Sequence, residues 1–220
     1  MVAPAVAPVG GRERLQKRST GFVIKSESDA AQGIVKAVVN VFGIIDTQGD
    51  IIQKGAYTKT LKERKNNIRT KILDNHQTAS VLNIVAKAND IYEVDRAELP
   101  PEVLEMFPKA TGGLVCEMQF MMADPTNISQ GVFERINFGA SNEYSIGLEI
   151  VEQTFTTEKD DDGHNVRVRN IKQLALFDVS PVIWGANEGT VTTDVKALTH
   201  KAVTGFGDLP LAARDRAWDG

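Results

Sequence analysis

Three histidines, His76, His164 and His200, limit the choice of a general base. A base has to stand at a strand edge or in a loop, close to the core but not beneath it. His200 ends the last patterned segment, just ahead of a tail with little apolar periodicity. His164 stands at the acidic tip Asp160-Asp161-Asp162-Gly163-His164, a composition shared by solvated turns and metal sites. His76 closes a hydrophobic stretch in the polar corner Leu73-Asp74-Asn75-His76-Gln77, and of the three it alone meets the requirement. A purely structural histidine is the competing account of that corner. Asp178 is the second unusual residue, because it interrupts the apolar run Leu174-Ala175-Leu176-Phe177-Asp178-Val179. Carboxylates among such neighbours are seldom left unpaired, and removing the partner of a buried charge costs roughly 3 to 5 kcal/mol. The partner is either a lysine, an arginine or backbone amides, or an imidazole N–H that the carboxylate would orient as a base.

A base and an orienting acid call for a nucleophile. In residues 142–155, Tyr144, Ile146, Leu148 and Ile150 alternate with Glu143, Ser145, Gly147 and Glu149. That period of two marks a half-buried strand with Ser145 on the face away from the apolar residues. Gly147, two positions on along the same face, would give clearance for a substrate backbone beside Ser145. A serine on the wet face of a strand is common, so the pattern gains meaning only from His76 and Asp178.

Other chemistries lack their residues. No Gly-x-Ser-x-Gly elbow, Walker loop or His-Glu-x-x-His helix is present. Cys116 is the single cysteine, which excludes an internal disulfide framework and zinc-binding cysteine pairs. It lies in the apolar run 113–122 and reads as a buried thiol. Asp46 and Asp50 could serve as metal ligands, although a turn built on Gly49 accounts for them as well. No metal and no cofactor is expected. A net charge of −4 gives no support for nucleic-acid binding. No stretch approaches the roughly 20 apolar residues of a membrane span, and the Pro-broken N-terminus has no leading basic region. These features predict a soluble, intracellular protein.

The elements that must hold the candidates follow from the same patterning. Strands are expected over 34–45, 81–85, 90–94, 114–121 and 166–182, besides the one carrying Ser145. Helices are expected from Gly55 onward, with Ala56, Tyr57 and Leu61 inward, and over 126–138, with Gly139 ending the latter. Asp162-Gly163 forms a hairpin turn, and 190–200 supplies a closing strand and helix. Residues 1–20 read as a flexible arm, 21–200 as one domain, and 201–220 as a linker or tail that stops as though truncated or self-cleaved. Short strands with two or three helices suggest a strand-dominated α+β fold or a partly closed barrel.

Four segments, taken in order, carry a family likeness. Phe42-Gly43-Ile44-Ile45-Asp46-Thr47-Gln48-Gly49-Asp50, then Leu73-Asp74-Asn75-His76, then Tyr144-Ser145-Ile146-Gly147-Leu148, then Leu176-Phe177-Asp178-Val179-Ser180-Pro181-Val182, resemble the tailed-phage prohead maturation serine proteases. That family is related in fold to the herpesvirus assembly proteases. The resemblance covers roughly residues 34 to 195 and implies a herpesvirus-protease-like β-barrel surrounded by helices. It puts His76, Ser145 and Asp178 on the catalytic positions, with Asp178 where many members have Glu. The loop 185–190 falls where the herpesvirus relatives hold an arginine-rich oxyanion loop. The arginines are absent here, so the implied donors are the backbone N–H groups of Ala186 and Asn187.

The implied activity is a serine endopeptidase of prohead maturation. Its implied partners are the major capsid protein with its scaffolding segment and the chain itself through self-processing, in a homo-oligomer, with no nucleic acid and no membrane. Its implied location is the host cytoplasm, inside the immature capsid. Two other accounts use the same sequence: a non-catalytic capsid-assembly or scaffold-binding module on this fold, and an unrelated small β-barrel binding protein.

Overall fold

A computed structural model describes residues 33–63, 69–159 and 163–196. The flexible arm, the tail, His200 and the helix expected after residue 196 lie outside the described residues. Eight strands form one mixed sheet: β1 (Ile34–Phe42), β2 (Asp50–Ile52), β3 (Lys71–Leu73), β4 (Ile84–Asp95), β5 (Gly112–Phe120), β6 (Glu143–Lys159), β7 (Asn165–Val182) and β8 (Val191–Lys196). Three short helices accompany them: α1 (Thr58–Glu63), α2 (Pro101–Met106) and α3 (Ile128–Asn137). The two strands expected over 81–85 and 90–94 are one strand, β4, preceded by a 3-10 turn at Val81–Asn83. Asn89 and Asp90, polar residues that break the apolar pattern, sit beside a register shift against β5 and leave the ladder continuous.

The strand order is β2-β7-β3-β4-β5-β1-β8, with β6 on the remaining edge of β7. β1 and β5 are largely buried on both faces, which accounts for their mostly apolar composition. One face of β1 contributes Val35, Ala37 and Val39 to the main core, shared with Leu114, Met118, Phe133, Ile136 and Tyr144. Val38 and Val41 enter a smaller core under α2 with Leu99, Val103 and Val115. Ala56 and Tyr57 are fully buried and Leu61 packs against the core, the inward set expected for that segment. Gly139, with φ of 81°, follows α3 as its left-handed stop.

The sheet does not close into a barrel, and this corrects the architecture that the resemblance implied. The reason lies in the edges. β1 pairs with β5 on one side; on the other β8 takes Ile34–Val38 and the Asn187 side chain takes the Val41 backbone, so β6 does not join the ladder there. Side chains bridge the gap instead: the Tyr144 amide donates to Thr190 Oγ1 at 3.1 Å, and the Tyr144 and Thr192 hydroxyls lie 2.7 Å apart. A backbone bond from Gly43 N to Ile52 O ties the end of β1 to β2. The result is an open sheet in which, among the described residues, β6 pairs with β7 alone.

Candidate active site

β7 sets the geometry. It pairs antiparallel with β6 along its length and parallel with β3, placing Lys71 opposite Asp178 and Ile72 opposite Val179. Leu174 and Leu176 point into the core, and the next core residue is Val179 rather than residue 178. The change of phase comes from a bulge: Leu148 pairs with Leu176 and Gly147 with Asp178, so the register steps over Phe177. One extra residue therefore turns Asp178 and Ser180 to the outer face, which Ser145 and Gly147 share.

β3 then ends in a turn that delivers His76 to this face. Asn75 and His76 both take left-handed backbone conformations, with φ of 47° and 59°. Such conformations are uncommon outside glycine and persist where the surroundings impose them. Here the Asn75 amide donates to Pro181 O at 3.2 Å and the His76 amide to Ser180 Oγ at 3.2 Å. The Gln77 amide donates back to Asp74 O, closing the turn. The parallel β3–β7 pairing thus fixes the backbone of His76 against the same strand that carries Asp178.

The side chains meet accordingly. His76 Nδ1 lies 2.7 Å from Asp178 Oδ1, and the Ser180 hydroxyl donates to that same oxygen at 2.7 Å. A carboxylate only accepts, so the imidazole proton sits on Nδ1 and Nε2 is left as an acceptor. The imidazole keeps 36% of its surface exposed, against 11% for the Asp178 side chain. Of the two partners considered for Asp178, the imidazole is the one present. Among the described residues the Ser145 hydroxyl has no hydrogen-bond partner; its residue stands directly opposite Ser180 in the β6–β7 ladder.

Gly147 has a different task from the one its position suggested. A Cβ there would lie 1.7 Å from Asp178 Oδ2 and 2.7 Å from Cγ. The glycine makes room for the carboxylate itself, rather than for a substrate. Ser180 was missed by sequence reasoning, although its signal was present: it is the next residue after Asp178 on the same strand face.

The loop 185–190 lies beside the start of β6. Gly185 approaches so closely that a Cβ would meet Tyr144 O at 2.6 Å, and its amide donates to Glu143 Oε2 at 2.7 Å. The Asn187 side chain is spent on β1, accepting from Val41 N at 3.2 Å and donating to Val41 O at 2.9 Å. Ala186 accepts from Thr47 N at 3.0 Å. Asn187 can therefore contribute only its backbone N–H to a reacting group. Both residues line a cavity that Ser145 also lines.

The remaining candidates separate from this cluster. Asp46 shapes the turn at Gly49, its Oδ1 accepting the amides of Gln48 and Asp50 at 2.8 and 2.9 Å. Asp50 instead pairs with Arg169 through two bonds, 2.8 Å from Nε and 2.5 Å from the terminal nitrogen. His164 stays at the exposed hairpin end. Cys116 is buried, and burial pushes its thiol far up from the usual range. Among the described residues no group of three or more His, Cys, Asp or Glu could hold a metal ion, and no helix is long and apolar enough to cross a membrane.

No curated protein and no solved structure matches the chain. A span that begins downstream of His76 and holds Ser145, Asp178, Ala186 and Asn187 has a family counterpart: residues 108–204 match the family model of the caudovirus prohead serine protease.

Proposed function

We propose that the chain is a serine endopeptidase of phage capsid maturation, with His76, Ser145 and Asp178 as its catalytic residues. The observation that carries this is the His76–Asp178 hydrogen bond, formed on the strand face that also presents Ser145. His76 lies outside the matched span, so its place in the site rests on geometry independent of the family match. Ser145 Oγ attacks the scissile carbonyl carbon, His76 Nε2 takes its proton, and the same imidazole then protonates the leaving amine. Asp178 holds the imidazole in its Nδ1–H form and stabilises the imidazolium. Ser180 positions both groups through its hydroxyl. The backbone N–H groups of Ala186 and Asn187 would receive the developing oxyanion, a contribution on the order of 10² to 10³ in rate per donor. The Ser145–His76 contact completes the relay when a peptide is bound, as catalytic hydrogen bonds often tighten in the substrate complex.

The substrates in this account are the scaffolding region of the major capsid protein and the chain itself, inside the prohead of the host cell. One observation favours the non-catalytic assembly module on the same fold: among the described residues the Ser145 hydroxyl has no hydrogen-bond partner. Co-expression with the capsid protein separates the two. Wild type should shorten the capsid protein and Ser145→Ala should not, as read by intact mass. Equal processing by both, or by neither, would sink the endopeptidase account.

A further inference from the structure

A cavity of about 470 Å³ is lined by β6 from Tyr144 to Ile150, and most of its lining residues take no part in the proton relay. Its size falls within the roughly 300–1,000 Å³ of small-ligand sites. Its aliphatic lining comes from Ile146, Leu148 and Ile150 of β6 with Ile52 and Ile171. The polar lining is one-sided in its chemistry. Asn40, 2% exposed, lines it, and its Oδ1 has no hydrogen-bond partner. Asp46 and Asp50 line it too. Arg169 neutralises Asp50 through the two-bond pair, whereas Asp46 accepts from backbone amides and feels the Arg169 charge without a hydrogen bond to it. One negative charge therefore stays uncompensated among the side chains lining the cavity. Burial, with the nearby Asp50 charge, pushes the Asp46 carboxyl up to about 6. An orphaned acceptor and an unpaired carboxylate beyond an aliphatic wall ask for a donor on an aliphatic stem. Ser145 and Ala186 also line the cavity, which places it next to the proposed nucleophile.

We propose that this cavity is a specificity subsite for a lysine side chain of the peptide being cleaved. The peptide backbone would lie along the free β6 edge, with the lysine stem on Ile146, Leu148 and Ile150 and its ammonium donating to Asn40 Oδ1 and Asp46. This rests on the endopeptidase reading above and names its substrate class.

The test is cleavage of a defined peptide library by the full chain, read by mass spectrometry, with wild type, Ser145→Ala and Asp46→Asn in parallel. Matched peptides carry lysine, norleucine or glutamate next to the scissile bond. Lysine peptides should be cleaved with kcat/KM at least about tenfold above norleucine peptides. Asp46→Asn should remove about that preference while changing norleucine cleavage less than about threefold. Thermal unfolding of Asp46→Asn at or above the wild-type midpoint shows that the loss is not one of folding. Ser145-dependent cleavage without a lysine preference, or an equal loss for all peptides in Asp46→Asn, overturns the subsite and leaves the endopeptidase standing. Absence of Ser145-dependent cleavage of every peptide and of the capsid protein overturns both.

Discussion

β7 carries two buried polar partnerships, and they answer the same physical problem in different ways. Near its start Arg169 clamps Asp50 in a two-bond ion pair, with the Asp50 side chain only 8% exposed. Near its end Asp178, similarly sheltered, takes a histidine that keeps a third of its surface in solvent. A guanidinium is charged at every accessible pH and fixed in its fork geometry. An imidazole can gain and lose a proton within the working range. Neighbourhood differs as well. Asp50 sits in ordinary ladder geometry on β2, whereas Asp178 needs a bulge at Phe177, a glycine at 147 and two left-handed residues at 75 and 76. Local irregularity of that kind accumulates where geometry serves a reaction rather than stability. The first pair should therefore matter to folding and the second to turnover.

Four substitutions test that division. Asp178→Asn should have the largest effect, lowering kcat by about 10⁴ through loss of the correct tautomer while the melting temperature moves by only a few degrees. A comparable drop in stability would make the pair structural. Asp50→Asn should do the reverse: Arg169 loses its charged partner, at a cost toward or below the roughly 3 kcal/mol lower bound for fully buried pairs, since Arg169 keeps a third of its surface. Denaturant melts would show this as a lower midpoint at unchanged slope. Gly147→Ala should push the Asp178 carboxylate aside and cost about 10² in kcat/KM, on the order of 2.7 kcal/mol of barrier. Combined with Asp178→Asn it should add little, and full additivity would show that the glycine acts elsewhere.

The smallest effect concerns Asp46. Its folded pKa of about 6 lies above the ordinary carboxyl value of 3.8, so the fold favours the neutral carboxyl. The stability contribution is complete below about pH 4 and is lost as pH rises through about 6. Asp46→Asn should leave the melting temperature near wild type at pH 4 and raise it by a few degrees at pH 7 and above, for a gain on the order of 1 to 3 kcal/mol. A pH-independent difference would mean that the turn hydrogen bonds, not the charge, dominate there.

Much of this was legible in the chain because it depends on residue type and period. The alternation around Ser145, the inward Ala56 and Tyr57, and the stop at Gly139 all follow local rules. Asp178 stood out because a carboxylate among leucines needs a partner. Other features depend on pairings between distant segments. Ser180 gains its role only once β3 lies parallel to β7 and brings the His76 amide to its hydroxyl. Gly147 looked like clearance for a substrate because its cross-strand neighbour was unknown; the register against β7 reassigns it to Asp178. The open edge of the sheet was equally hidden, since it follows from β8 occupying the edge of β1 that a closed barrel would need. Asn40 gave no signal at all, being one polar residue within a valine-rich strand.

The bulge at Phe177 also bears on how such a site can arise or vanish. A strand has only two faces, and the bulge exchanges them for every residue beyond it. Were Phe177 counted in the ladder as an ordinary residue, Asp178 would continue the series of Leu174 and Leu176 into the core, out of reach of His76, with every residue of the site still encoded. For this strand an inventory of residue types is therefore an incomplete description of the site. The number of residues between them is part of it.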